Sequence, residues 1–175
     1  MTYGELARLA EASGFAAWAP LNASAIELRP EVRAWCAEDA CGHYGRCWSC
    51  PPACGSLEDC AAAIRAYAEG ILVQTVGDMA DWRAAEDEHR ARFDRMREAL
   101  RRAGAQALAL NAGPCGRCEA CTCPDAPCRD PDRMVSSMEA YGMLVREVCE
   151  ANGLSCDYGP GRVAFTGCFL LGPCT

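Results

Sequence analysis

The chain contains no lysine; all 17 of its basic residues are arginine. Schiff-base chemistry and mechanisms built on a lysine nucleophile are therefore excluded. Positive charge is in deficit as well, with 24 acidic residues and a formal net charge of −7. A surface that tracks phosphates is not expected, so nucleic acid is not an expected partner. Long apolar runs are missing, and the longest, Val163 to Leu171, is too short to cross a bilayer. The first residues, Met1-Thr2-Tyr3-Gly4-Glu5, lack a basic segment followed by an apolar one, so a cytoplasmic protein without a membrane partner is expected. There is no Gly-rich phosphate loop, no dinucleotide fingerprint and no Ser-His-Asp grouping, and no catalytic set is assigned.

What the chain has in excess is cysteine, 15 in 175 residues. That density belongs either to secreted disulfide scaffolds or to intracellular metal sites. An odd count, tight C-x2-C pairs and no export signal favour a reduced, metal-binding set. An apolar content of 51% over this length suits one ordinary core, so residues 1–175 are read as a single compact domain.

Periodicity and end signals outline the fold. Thr2-x-x-Glu5 predicts a capped helix with Leu6, Leu9 and Ala10 on one face, ended by Gly14. Ala25 to Leu28 reads as a short strand, and 36 to 55 as a loop without period. Ser56-x-x-Asp59 opens a helix carrying Leu57, Cys60, Ile64 and Tyr67, closed by Gly70 before a strand from Ile71 to Val76. A longer helix from about Asp81 to Arg102 aligns Trp82, Ala85, His89, Phe93, Met96 and Leu100, with Gly104 as its stop. A buried strand from Ala105 to Leu110 leads into a second loop, Asn111 to Pro131. Ser136-x-x-Glu139 reads as the cap of a last helix ending at Asn152-Gly153, followed by a strand near Val163 to Leu171. This order predicts an α/β or α+β fold, one mixed sheet of four to five strands covered by helices. The two cysteine loops could meet at one end of that sheet.

The second loop carries the sharper signal. Cys115-x2-Cys118-x2-Cys121 can wrap one face of a cubic [4Fe-4S] cluster, as in ferredoxin-type runs where a further cysteine completes the set. Cys123, which precedes Pro124, and Cys128 both compete for the fourth position. Zinc is the alternative, although it usually takes one C-x2-C pair from each of two separated segments. The first loop offers Cys36, Cys41, Cys47, Cys50 and Cys54, more thiols than one metal needs. Tyr44 and Trp48 could shield a cluster, and His43 could ligate through a ring nitrogen. His89, on an apolar stripe, reads as a core histidine, and Cys60 and Cys149 read as small hydrophobes. Cys156, Cys168 and Cys174 are isolated and read as structural.

Three motifs in order, Cys36-x4-Cys41 with Tyr44-Gly45 and Cys50-Pro51-Pro52, then Gly113-x-Cys115-x2-Cys118-x2-Cys121 with Cys128-Arg129-x-Pro131, then Ser137-Met138-Glu139-Ala140-Tyr141-Gly142, resemble domain of unknown function 2284. The resemblance covers most of the chain and implies metal binding. It implies three ligands in the first loop, Cys36, Cys41 and Cys50, and four in the second, Cys115, Cys118, Cys121 and Cys128. A three-thiolate site leaves one coordination position open, the mark of a reactive metal, unless Cys47 or Cys54 closes it. The positive end of the helix after the second loop could stabilise an anionic cluster. The expected function is thus binding of one or two [4Fe-4S] clusters with electron transfer to a redox partner protein. The alternatives are an enzyme with an open iron in the first loop and a zinc-stabilised interaction module.

Overall fold

A computed structural model describes residues 1–172. Within them are five helices and one open, mixed five-stranded sheet, an α+β arrangement. The spatial strand order is β1-β2-β5-β3-β4. The centre is a long antiparallel pair, β2 (Glu69–Asp78) with β5 (Arg162–Leu171), in register from Glu69 opposite Leu171 to Asp78 opposite Arg162. β1 (Ala17–Asn22) pairs antiparallel on the outer side of β2, and β3 (Ala107–Asn111) pairs antiparallel with β5. The two-residue β4 (Ser136–Ser137) runs parallel to β3 at the far edge. Among the described residues no helix is long and apolar enough to cross a membrane. Cys174 lies outside the described residues.

Strand alternation splits the sheet into two apolar faces. One face presents Ile71, Val73, Phe169 and Leu171 to α1 (Tyr3–Ser13) and α4 (Trp82–Arg102), whose Leu6, Ala10, Phe93, Met96 and Leu100 complete that core. Phe93 stacks on Phe169 with ring centroids 4.4 Å apart, and full burial of either ring contributes about 1.5–3 kcal/mol. The opposite face presents Leu72, Leu110, Cys168 and Leu170 to α3 (Leu57–Arg65) and α5 (Val145–Ala151) through Ile64, Val148 and Cys149. α2 (Pro30–Ala37) stands apart from both layers and packs on the 3-10 turn Glu139–Tyr141.

Both N-terminal capping boxes form: Thr2 with Glu5 opens α1, and Ser56 with Asp59 opens α3. Three expectations are corrected. The first strand is Ala17–Asn22 rather than 25–28, where the 3-10 turn Ala23–Ala25 ends and only Leu28 pairs, in an isolated antiparallel bridge with Met143. Its Ala and Pro content hides it, and Pro20 is tolerated because β1 is an edge strand. The segment ending at Cys36 is helical, with Pro30 in the first turn, where the missing N–H is harmless. Ser136 and Glu139 do not cap a helix: Ser136 joins the sheet, and α5 begins only after Leu144. Gly70 also has a different role, lying inside β2, where a Cβ would collide with the Phe169 carbonyl.

His89 is fully buried, its Nδ1 3.1 Å from Thr75 Oγ1 and its ring among Phe15, Phe93 and Phe165. Burial pushes its pKa down to about 4 from 6.5. The unfolded chain therefore takes up this proton first, so the stability linked to neutral His89 is complete above about pH 6.5 and is lost as pH falls towards 4. Chemical denaturation across that window should show a loss of up to about 3 kcal/mol in the wild type, and His89→Leu should flatten the slope. In the same assay Gly70→Ala should cost about 1–3 kcal/mol through overpacking of the β2–β5 pair.

Candidate metal centre

The first cysteine loop is built around Asp39, whose backbone takes a left-handed φ of 53°. Its carboxylate accepts from the Tyr44 N–H at 2.9 Å and from Arg46 Nη2 at 2.5 Å, folding 39–46 into a tight turn. Gly45 N–H donates to the Pro51 carbonyl at 2.9 Å, which closes the loop and brings Cys41 and Cys50 to the same side. Cys36, in the last turn of α2, completes the trio. Arg33 holds this assembly to the rest of the fold. Its guanidinium donates to the carbonyls of Ala140 and Gly55, each at 2.7 Å.

Cys36, Cys41 and Cys50 line one cavity of about 200 Å³. Its far wall comes from Ser137, Glu139 and Ala140, and part of its rim from Gly113 and Pro114 of the second loop. Cys115, Cys118, Cys121 and Cys128 line a second, narrower cavity of about 40 Å³, joined there by Cys47 and Asp130. The seven thiols named from the sequence are thus distributed as two separate groups, three and four. Each group keeps one exposed member, Cys41 in the first and Cys121 in the second. Among the described residues no three His, Cys, Asp or Glu side chains converge on a point where one metal ion could be held. A single zinc would draw its sulfurs to within about 3.8 Å of one another. The thiols instead surround two spaces, and sulfur predominates among the donors of each.

The spare cysteines have other places. Cys47 turns towards the second cavity, not the first. Cys54 is not among the residues lining the first cavity: its sulfur is 3.6 Å from the Ala140 carbonyl and 3.8 Å from Arg33 Nη1, which also lies 3.6 Å from Cys60 Sγ. Cys123 is buried, with its sulfur 3.8 Å from the Gly45 carbonyl, and Cys128 stands in the second cavity in its stead. His43 lines neither cavity; its Nδ1 is 2.6 Å from the Cys41 carbonyl.

Ser49, which is fully buried, lines the second cavity and reaches thiols of both groups. Its Oγ accepts from the Cys115 N–H at 3.1 Å and lies 3.2 Å from Cys47 Sγ and 3.9 Å from Cys50 Sγ. Hydrogen bonds from the Cys50 thiol, from Ser49 and from the Cys115 backbone hold Cys47 well below the usual thiol range, to about 4. Cys50, sharing that proton, is pushed up. Two further contacts tie the loops together. Trp48 Nε1 donates to the Ala126 carbonyl at 3.0 Å, and Cys123 reaches Gly45.

Positive charge collects here despite the acidic chain. Arg117 pairs with Asp94 through both nitrogens, and Arg90 pairs with Glu86 at 2.9 Å. Gly116, at a φ of 62°, leaves room for the Arg90 guanidinium, which any side chain there would strike. Burial pushes the Cys36 thiol up, and Arg33 opposes that rise. The expected support from the helix after the second loop is absent, because α5 starts only at Val145 and arginine side chains take that part.

Ser49, Glu139 and Arg33 are site residues that sequence reasoning missed. Glu139 was assigned to a helix cap, and no spacing rule marks the serine inside Cys47-Trp48-Ser49-Cys50. Replacing Ser49 by alanine leaves the Cys115 N–H buried without its acceptor, which should cost about 1–3 kcal/mol in chemical denaturation. Thiolate absorbance titrated against pH should also show Cys47 ionising at higher pH in Ser49→Ala.

No curated protein and no solved structure matches this chain. Residues 19–171 match the family DUF2284, described as a predicted metal-binding protein. That span holds all eight thiols that line the two cavities, together with Ser49 and Glu139, and this chain is a member of that predicted metal-binding family.

Proposed function

We propose that this chain binds two [4Fe-4S] clusters in adjoining cavities and relays single electrons to or from a redox partner protein. Cys36, Cys41 and Cys50 would hold the first cluster, and Cys115, Cys118, Cys121 and Cys128 the second. The observation that carries this reading is the shared wall, where Ser49 touches a thiol of each cavity and the backbone of Cys115. Bound clusters of this kind supply one-electron chemistry whose potential depends on charge, hydrogen bonds to sulfur and exposure.

The protein's own contribution follows from its residues. Arg33 beside the first loop and Arg97 near Cys115 offset anionic charge at the two sites, while Arg90 and Arg117 there are paired with Glu86 and Asp94. Trp48 lines the second cavity, and its hydrogen bond to Ala126 keeps that cover in place. The exposed thiols Cys41 and Cys121 give each site a point close to solvent, where a partner could approach.

Anaerobic purification with metal, sulfide and absorption analysis tests the reading. About eight irons and eight sulfides per chain are expected for two cubane clusters. Cys118→Ser and Cys36→Ser should each remove roughly half of the visible absorption, and the double variant nearly all of it. A colourless protein carrying stoichiometric zinc would contradict the proposal.

A further inference from the structure

Glu139 belongs to the 3-10 turn between β4 and α5, and the helix-capping role its spacing suggests is unfilled, since Leu144 occupies the N-cap of α5. The nearby Ala140 N–H is already taken by Ser137 Oγ at 3.0 Å. The residue as a whole is half-buried; Ser137 and its own backbone hydrogen-bond the carboxylate, but its Oε2 is sealed from solvent and has no hydrogen-bond partner among the described residues. Keeping such an oxygen charged is costly, and a bound cation, like a proton, relieves that cost. Arg33, the arginine bound to this same turn, donates instead to the carbonyls of Ala140 and Gly55. Glu139 lines the cavity that holds Cys36, Cys41 and Cys50, and that cavity has three thiols while its neighbour has five.

We propose that the Glu139 carboxylate is the fourth ligand of the metal centre in the first cavity, completing Cys36, Cys41 and Cys50 with one oxygen donor. This rests on the proposed function for the presence of metal there and adds the donor set. A carboxylate is a harder and more exchangeable ligand than a thiolate, so the centre is closed at rest and opens at one metal position. A small thiolate or oxygen donor takes that position as the carboxylate leaves as an anion, or a thiol does so by passing its proton to the departing carboxylate, in either case with no change in oxidation state. The two centres then differ in kind, one ligated by sulfur alone and one with a replaceable oxygen.

The test compares wild type, Glu139→Gln and Glu139→Cys, each reconstituted anaerobically with iron and sulfide, by Mössbauer spectroscopy and by iron release to a chelator. Glu139→Gln should release one iron at least about tenfold faster than wild type, with the second site's spectrum unchanged. Glu139→Cys should restore slow release and shift that iron's spectrum towards full sulfur ligation. Thermal unfolding of the metal-free proteins should show Glu139→Gln no less stable than wild type, because it replaces an unpartnered acid with a neutral amide. Identical release rates and spectra in wild type and Glu139→Gln would overturn the ligand assignment. Iron and sulfide content of the wild type reports separately on the cluster reading. Should the protein take zinc instead, faster zinc release from Glu139→Gln would uphold Glu139 as a ligand while the cluster reading fell.

Discussion

Ser49 Oγ lies within 3.9 Å of groups from both cysteine loops: two thiols of its own loop and the Cys115 N–H, which lies far along the chain. The hydroxyl is fully buried, so these contacts are shielded from competing water. The remainder of the site is arranged around this meeting point. The C-x2-C pair Cys47 and Cys50 straddles it, one sulfur turned to each cavity, and the two loops close over it through Trp48 and Cys123. The sheet serves this arrangement indirectly: β3 leads straight into the second loop, and β4, paired beside it, delivers Ser137 and Glu139 to the first cavity.

Charge and burial are balanced in opposite senses at the two cavities. Gathering thiolates in one region is unfavourable in a chain with a net charge of −7. Arginines offset this near Cys115 and near Cys36, several of them held by carboxylates or carbonyls and so fixed in place. Glu139 is the exception. Burial raises its pKa above the ordinary carboxylate range, and its sealed oxygen meets no cation among the protein's own groups.

Much of this was legible in the sequence, and the parts that were not share a physical cause. Helices with strong caps and a continuous apolar stripe, α1, α3 and α4, follow from local spacing. β2 and β5 follow from buried β-branched and aromatic runs. β1 escaped because edge position, a tertiary property, is what permits its proline. The grouping of the thiols into three and four could be anticipated from motif order, but the allocation of the spares could not. Cys47 and Cys54 differ only in where α2 and the 139–141 turn place their neighbours. Glu139 was misread for a related reason: a capping-box spacing is local, and the sheet contact of Ser136 overrides it.

The central claim is that two metal centres lie close enough to interact through the Ser49 wall. Low-temperature EPR of the anaerobically reduced wild-type protein measures this directly. The account predicts a broadened, spin-coupled spectrum from two clusters, which narrows to a simple single-cluster spectrum in Cys36→Ser. Two sharp, independent spectra in the wild type, or no cluster signal at all, would contradict it.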